Sequence, residues 1–427
     1  MKRLFALSGL CAVLLAPGSA SADTLNEALA IAYQNNPQLA AQKQETAVAQ
    51  EQLEQARSAR RPTVNLSSSI GYESIDTNRP ISFTAGDRPV ATARLQSEMP
   101  IYTSGRISAG IDQAKANIGA VDSAYDSASQ DLILQVVTAY VDVRSDRETV
   151  RIRESSVALL TEQVRAARDR FDVGEVTRTD VAQAEARLEG ALAALAGANA
   201  ALEGTRAVYA FLVGKEAGEL EPPPPAPLLP ASFDEALDSA MRNNPDIQAS
   251  RFREEAASEG VRAARGASGP SVSLVGTASA QETYDDNYRD TEITAVARAT
   301  IPLYQGGLVD SQVRAARLRR DQARFQTDNL QRQVRANVAQ AWFANIAAKS
   351  SIEASLRQVE AAEIAYEGAK EELAVGVRTT LDVLDQEQQL LEARLNLIQS
   401  ERDAYVAAHQ LLRAMGGLSV QNLAFPG

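Results

Sequence analysis

Two kinds of periodicity run along this chain, and each occurs twice in the same order. Val64, Leu66, Ile70 and Tyr72 share one side of a period-two pattern, with Asn65, Ser67 and Ser69 on the other. A second segment sets Leu95, Met99 and Ile101 against Arg94, Gln96 and Glu98. Later come Val272 and Leu274, then Ile293, Ala295, Ala297, Ile301 and Leu303 against Thr294, Arg298 and Thr300. Each pattern predicts a strand with one apolar and one polar face, long enough to cross a membrane at the roughly 9 to 11 residues required. After each strand pair the period lengthens to that of a helix. Neither glycine nor proline interrupts the chain between Gly119 and Gly174, or between Gly307 and Gly368. Leu132, Val136, Ala139, Tyr140 and Val143 form one apolar stripe; Val334, Val338, Ala341, Trp342 and Ile346 form its counterpart. A helix from about Gly105 to Phe171 would be on the order of 100 Å long. Val173-Gly174 turns it back into a helix ending near Gly214, and the later copy turns at Val375-Gly376 and ends near Gly416.

The chain is thus written twice. Thr24-Leu25-Asn26-Glu27-Ala28-Leu29 is answered by Ser232-Phe233-Asp234-Glu235-Ala236-Leu237, and Asn35-Asn36-Pro37 by Asn243-Asn244-Pro245. Pro100, Tyr102 and Gly105 fall on Pro302, Tyr304 and Gly307; Asp180-Val181 falls on Asp382-Val383. Thr24 with Glu27, and Ser232 with Glu235, are capping-box signatures that open a short helix. Asn36 and Asn244 then cap a second helix, with proline in its first turn, running to about Arg60 or Gly266. The expected organisation is a first repeat at 23–217, a proline-rich linker at 218–231 containing Glu221-Pro222-Pro223-Pro224-Pro225, and a second repeat at 232–427.

Composition narrows the setting. Residues 1–22 read as a secretory signal: Lys2 and Arg3, an apolar run from Leu4 to Leu15, then Ala20-Ser21-Ala22. Cys11, the only cysteine, lies in that run, and Leu10 before it is too bulky for a lipid-attachment site. The mature chain then has no thiol for a disulfide or a metal. A net charge of −12 argues against a nucleic-acid partner. No later stretch reaches the roughly 18 to 20 apolar residues of a spanning helix, so any membrane passage would be through a closed β-barrel.

Four strands do not close a barrel, so strands from several copies must combine. Two copies give eight and three give twelve, and strand number alone leaves the choice open. Alanine-rich helices, with Ala182, Ala184, Ala186, Ala191, Ala193, Ala194 and Ala196, suit close side-by-side packing. The class is α+β.

The duplicated order of helix, strand pair, long helix, Val-Gly turn and returning helix resembles the TolC family of outer-membrane efflux and type I secretion channels. The resemblance spans essentially the whole mature chain. It is carried by Phe171-Asp172-Val173-Gly174-Glu175-Val176-Thr177-Arg178-Thr179-Asp180-Val181 and by Leu373-Ala374-Val375-Gly376-Val377-Arg378-Thr379-Thr380-Leu381-Asp382-Val383-Leu384-Asp385. It implies a homotrimer in outer-membrane lipid, a twelve-stranded barrel and a periplasmic helical tunnel. The implied partners are a periplasmic adaptor protein and an inner-membrane transporter. Asp382 and Asp385 would ring the periplasmic constriction, Thr179, Asp180 and Arg378 would lock it shut, and Val173, Gly174, Val375 and Gly376 would be adaptor-contact tips. Where the family often has a tyrosine in that lock, this chain has Leu373.

Each assignment has a plainer reading. Asp382 and Asp385 are also what a helix start favours, worth ~0.3 to 1 kcal/mol each; the glycines could simply supply a positive φ. Residues from Ile75 to Val90 and from Gln281 to Thr291 are expected as external loops, with Asp285, Asp286 and Asp290 a conceivable cation site or a solvated cluster. Arg57, Arg60 and Arg61 read either as a membrane-edge cluster or as a solvated one. His409, the only histidine, is expected to pack. With so few site residues no catalytic centre, cofactor or metal is called for, and the chain does not read as an enzyme. The rival class is a periplasmic adaptor (membrane fusion) protein, which should have a single hairpin between β-rich halves.

Overall fold

The computed structural model of the chain describes residues 23–75, 86–283 and 288–419. The expected signal with Cys11, the segment 76–85, Asp285, Asp286 and the segment 420–427 lie outside the described residues. The first half gives α1 (Leu25–Asn35), α2 (Pro37–Ser58), β1 (Thr63–Ile75), β2 (Gly86–Tyr102), α3 (Arg106–Asp172) and α4 (Arg178–Val213). The second gives α5 (Phe233–Asn243), α6 (Pro245–Gly266), β3 (Ser271–Thr283), β4 (Tyr288–Thr300), α7 (Leu308–Ala374) and α8 (Thr380–Met415). Counterpart helices have equal lengths, 67 residues for α3 and α7 and 36 for α4 and α8.

Local chemistry accounts for these boundaries. Thr24 and Glu27 close a reciprocal box, with Glu27 N donating to Thr24 Oγ1 at 3.2 Å and Thr24 N to Glu27 Oε2 at 3.1 Å. The second copy closes only half of it: Ser232 caps Glu235 N, but the Glu235 carboxylate takes Ala231 N instead. Asn36 and Asn244 each accept two backbone N–H groups at the starts of α2 and α6. Two expectations need correction. Ile301 and Leu303 lie beyond β4, because Pro302 has no N–H to continue the ladder. The loops are also shorter than read, since β2 already begins at Gly86 and β3 runs on to Thr283.

The contacts divide the chain into two compact units, each drawing on both halves. One comprises residues 23–34, 136–225 and 361–402. In it Val164, Ala167 and Ala184 pack between α3 and α4, and the Tyr140 hydroxyl lies 2.8 Å from the carbonyl oxygens of Asp23 and Glu221. The other comprises residues 35–135, 226–360 and 403–419. Its core joins Ala236, Ala240, Ile247, Val334, Val338, Leu411 and Met415, with Phe233 and Trp342 edge to face. The apolar stripe of α3 is fully buried, whereas in α7 it ends in an exposed Ile346. His409 is buried as expected, its Nδ1 2.8 Å from Tyr405 O, and burial lowers its pKa.

Within this second unit Gly416 marks a close approach. Its φ is +75°, and a Cβ there would meet Asn244 Cα at 2.6 Å, so only glycine fits. Beside it, Arg413 reaches Asp131 at 2.5 Å, Ser127 at 2.8 Å and Asp246 at 3.3 Å. The guanidinium is largely buried while the two carboxylates are about half exposed, which reduces what the pairs contribute. Arg413→Ala is expected to destabilise this unit by about 2 kcal/mol, below the 3 to 5 of a fully buried pair. Urea melts followed by circular dichroism check it; an unchanged midpoint would make the network a surface ornament.

The same unit carries one antiparallel sheet in the order β1-β2-β3-β4. Leu66, Leu95, Ala278 and Ile293 lie side by side across it, and its apolar face is open, with Leu66 74% and Ile293 80% exposed. Thr63, Asn65, Ser67, Arg94, Gln96 and Glu98 take the opposite face. Among the described residues β1 and β4 each have one edge without a strand partner.

Candidate functional site at the hairpin tips

Both long hairpins turn by the same two devices. At the end of α3, Gly174 N donates to Phe171 O at 2.9 Å and Glu175 N to Arg170 O at 2.9 Å, a Schellman closure with Gly174 at φ +81°. At the end of α7, Gly376 N donates to Leu373 O and Val377 N to Glu372 O, with Gly376 at φ +77°. The returning helices then open on a threonine cap. Thr177 and Asp180 exchange hydrogen bonds at the head of α4, as Thr379 and Asp382 do at the head of α8. Val173, Val375 and Val377 are left more than 70% exposed. Open space surrounds both glycines, so a side chain there would meet backbone strain and no clash.

Four of the carboxylates at and near the tips stand in different settings. Asp180 and Asp382 are held below the usual carboxylate range by hydrogen bonds from Thr177 and Thr379, with Arg378 adding a smaller effect at Asp382. Asp385 lies one turn on and is paired with Arg187 of α4 at 2.5 Å. Glu387 sits deeper: it is buried, hydrogen-bonded by Ser156, and burial pushes its carboxyl up to about 7.

The expected lock is wired differently inside the chain. Arg378 pairs with Glu372 of its own hairpin, while Asp180 is taken up by Thr177; Thr179 is exposed. The fold thus brings Arg378 to Glu372 and Asp382, and it does not bring Arg378 to Asp180 within one protomer. Arg187 and Glu387 were not singled out in the sequence. Glu387 could have been, because it stands at helical spacing within the stripe of Val383, Leu384, Leu390 and Leu391. Arg57 and Arg61 pair with Glu54 on the surface of the chain.

The outer membrane efflux protein family matches this chain twice, over residues 28–214 and 236–417. The chain belongs to that family. The efflux protein BepC of Brucella suis is 34% identical over 408 residues, covering 95% of this chain and 88% of BepC. The alkaline protease secretion protein AprF of Pseudomonas aeruginosa is 25% identical, covering 91% and 83%. The solved outer membrane protein VceC of Vibrio cholerae shares the fold at a TM-score of 0.78 with 23% identity, covering 92% of this chain and 96% of that one. As an outer membrane efflux protein the chain is an outer-membrane channel whose helical part lies in the periplasm, and the family consists of channel proteins. No described helix is long and apolar enough to cross a membrane.

Proposed function

We propose that the chain is one third of a passive exit duct, assembled as a homotrimer from two duplicated halves, 23–217 and 232–427, joined by 218–231. The observation that carries this is the four-stranded sheet with both edges open and its apolar face bare. Pairing β1 of one copy with β4 of the next satisfies both edges, and three copies give twelve strands. Unpaired edges in hydrocarbon cost several kcal/mol per group, so closure between copies is strongly driven. The duct serves a pump or secretion system. A periplasmic adaptor docks on the exposed valines of the tips, and an inner-membrane transporter supplies the cargo. The name of BepC supports efflux, and that of AprF supports export of a protease by the same kind of duct.

In this reading Asp382 and Asp385 narrow the periplasmic end. Arg378, Thr179 and Asp180 act between neighbouring copies, where Arg378 exchanges Glu372 for a partner across the joint. Cys11 is the only cysteine, so single cysteines can be placed on the facing edges of β1 and β4. Oxidised membranes are expected to give a ladder ending at a cross-linked trimer. A monodisperse monomer with a protected sheet in detergent would overturn the reading. The periplasmic adaptor alternative is disfavoured by the two hairpins and the single continuous sheet.

A further inference from the structure

Glu387, near the tips, neither caps a helix nor forms an ion pair, and it is buried. Its repeat counterpart Glu185 is paired with Arg168 at 2.6 Å. The counterpart of Arg168 is Lys370, which goes instead to Glu367 and lies over the Tyr366 ring. Glu387 is thus left only 8% exposed, with Oε2 lacking any hydrogen-bond partner. An unpartnered carboxylate oxygen in that setting disfavours the charged form unless a cation meets it.

That residue lines a cleft of about 370 Å³ where α3, α7 and α8 meet. Ile152 and Leu159 of α3, Tyr366 of α7, and Leu390 and Leu391 of α8 make much of its wall apolar. The charged groups nearest the carboxyl hold other partners, although Arg187 still favours the ionised form of Glu387 by a smaller amount than burial opposes it. Glu363 holds Arg394 at 2.7 Å, and Arg187 of α4 holds Asp385. Arg153 of α3 and Glu392 of α8 border the adjoining hollow on the other side of Glu387. An apolar cleft of this volume with one unsatisfied buried acceptor has the makings of a small-ligand site.

We propose that this cleft binds an amphiphilic organic monocation, its ammonium group on Glu387 Oε2 and its hydrocarbon body against Leu159, Tyr366 and Leu391. The occupant supplies the positive charge that Arg168 gives in the first repeat and ties α8 to α3 and α7. The site is distinct from the Asp382–Asp385 end and does not depend on the gate assigned there. Because burial raises the Glu387 carboxyl to about 7, it is mostly protonated at pH 6 and mostly ionised at pH 8. An alkylammonium ion stays charged over that range. Affinity therefore rises with pH, by roughly tenfold between pH 6 and pH 8.

The test uses 4-phenylbutylammonium and the full-length channel in detergent, with calorimetry as the readout. Saturable binding at pH 8, about tenfold weaker at pH 6, and at least tenfold weaker for neutral 4-phenylbutanol is expected. Glu387→Gln should lose both the affinity and its pH dependence while keeping its assembly state. Leu391→Trp, which fills the cleft, should also abolish binding. Excess spermine, a polyvalent cation drawn to Asp382, should leave the probe in place, so failure of the gate and failure of this site are distinguishable. If Glu387→Gln does not assemble, the pH and alcohol comparisons on the unmodified channel decide. Equal binding of amine and alcohol, equal binding in Glu387→Gln, or displacement by spermine would each overturn the proposal.

Discussion

Alanine at both Asp382 and Asp385 is expected to abolish most of the cation preference of the channel in planar bilayers, and to raise the spermine concentration that half-blocks it by tenfold or more. The reasoning starts from charge actually presented. Asp382 is kept ionised by the hydrogen bonds from Thr379, so each copy contributes one full negative charge at the head of α8. Asp385 is paired with Arg187, so in the proposed trimer the ring would present three unpaired carboxylates from a possible six. Arg187→Ser should therefore move in the opposite direction, freeing Asp385 and lowering the half-blocking concentration by about tenfold, ~1.4 kcal/mol in binding terms. It should also raise conductance, because the tie between α4 and α8 is lost. Both effects should shrink in high salt, where the screening length falls to about 3 Å at 1 M. Identical block in the double alanine variant and the unmodified channel would reduce Asp382 to a helix cap.

The second large effect concerns the tips. Gly376→Val should cut export at least tenfold with the assembly state unchanged. Valine at φ +77° is strained by about 1 to 2 kcal/mol, and with nothing within 4 Å of the new Cβ the strain is relieved by reshaping the turn. Gly376→Asn separates two roles, because asparagine tolerates the left-handed region. If the turn matters only as a turn, asparagine restores export. Val375→Asp and Val377→Asp leave the turn intact and charge the exposed surface, so export lost there identifies the valines as the docking contact. Export at full level in all four variants, at normal expression, would leave the tips without a docking role.

How far the sequence foretold this depends on the range of the interaction. Asn36, Asn244, Gly174, Gly376 and the Thr24 cap act within a few residues of themselves, and each boundary they imply is found. The period-two segments fixed which residues share a face, because a strand has no freedom to place Leu66 and Asn65 on the same side. The Arg187–Asp385 pair joins residues 198 apart, and Arg413 finds Asp131 across 282 positions. No periodicity encodes such meetings; they follow from how helices pack. The half-closed cap at Ser232 was also invisible, since its outcome turns on whether Glu235 reaches Ser232 N or Ala231 N. Glu387 read as an ordinary polar residue until the apolar stripe around it was taken as a wall.

The sheet has a kinetic consequence. Helices complete their hydrogen bonds within one chain and can form as soon as it is released. In the proposed trimer the strands cannot, because β1 and β4 wait for edges that another copy supplies. The last stage of maturation is therefore an encounter, with a rate that climbs faster than linearly with the number of chains present. Dilute chains linger with a sticky edge and a greasy face uncovered, which is when they are most exposed to proteases and to mispairing. Slow synthesis should waste proportionally more chains than fast synthesis, so yield of finished channel per chain made depends on the pace of production.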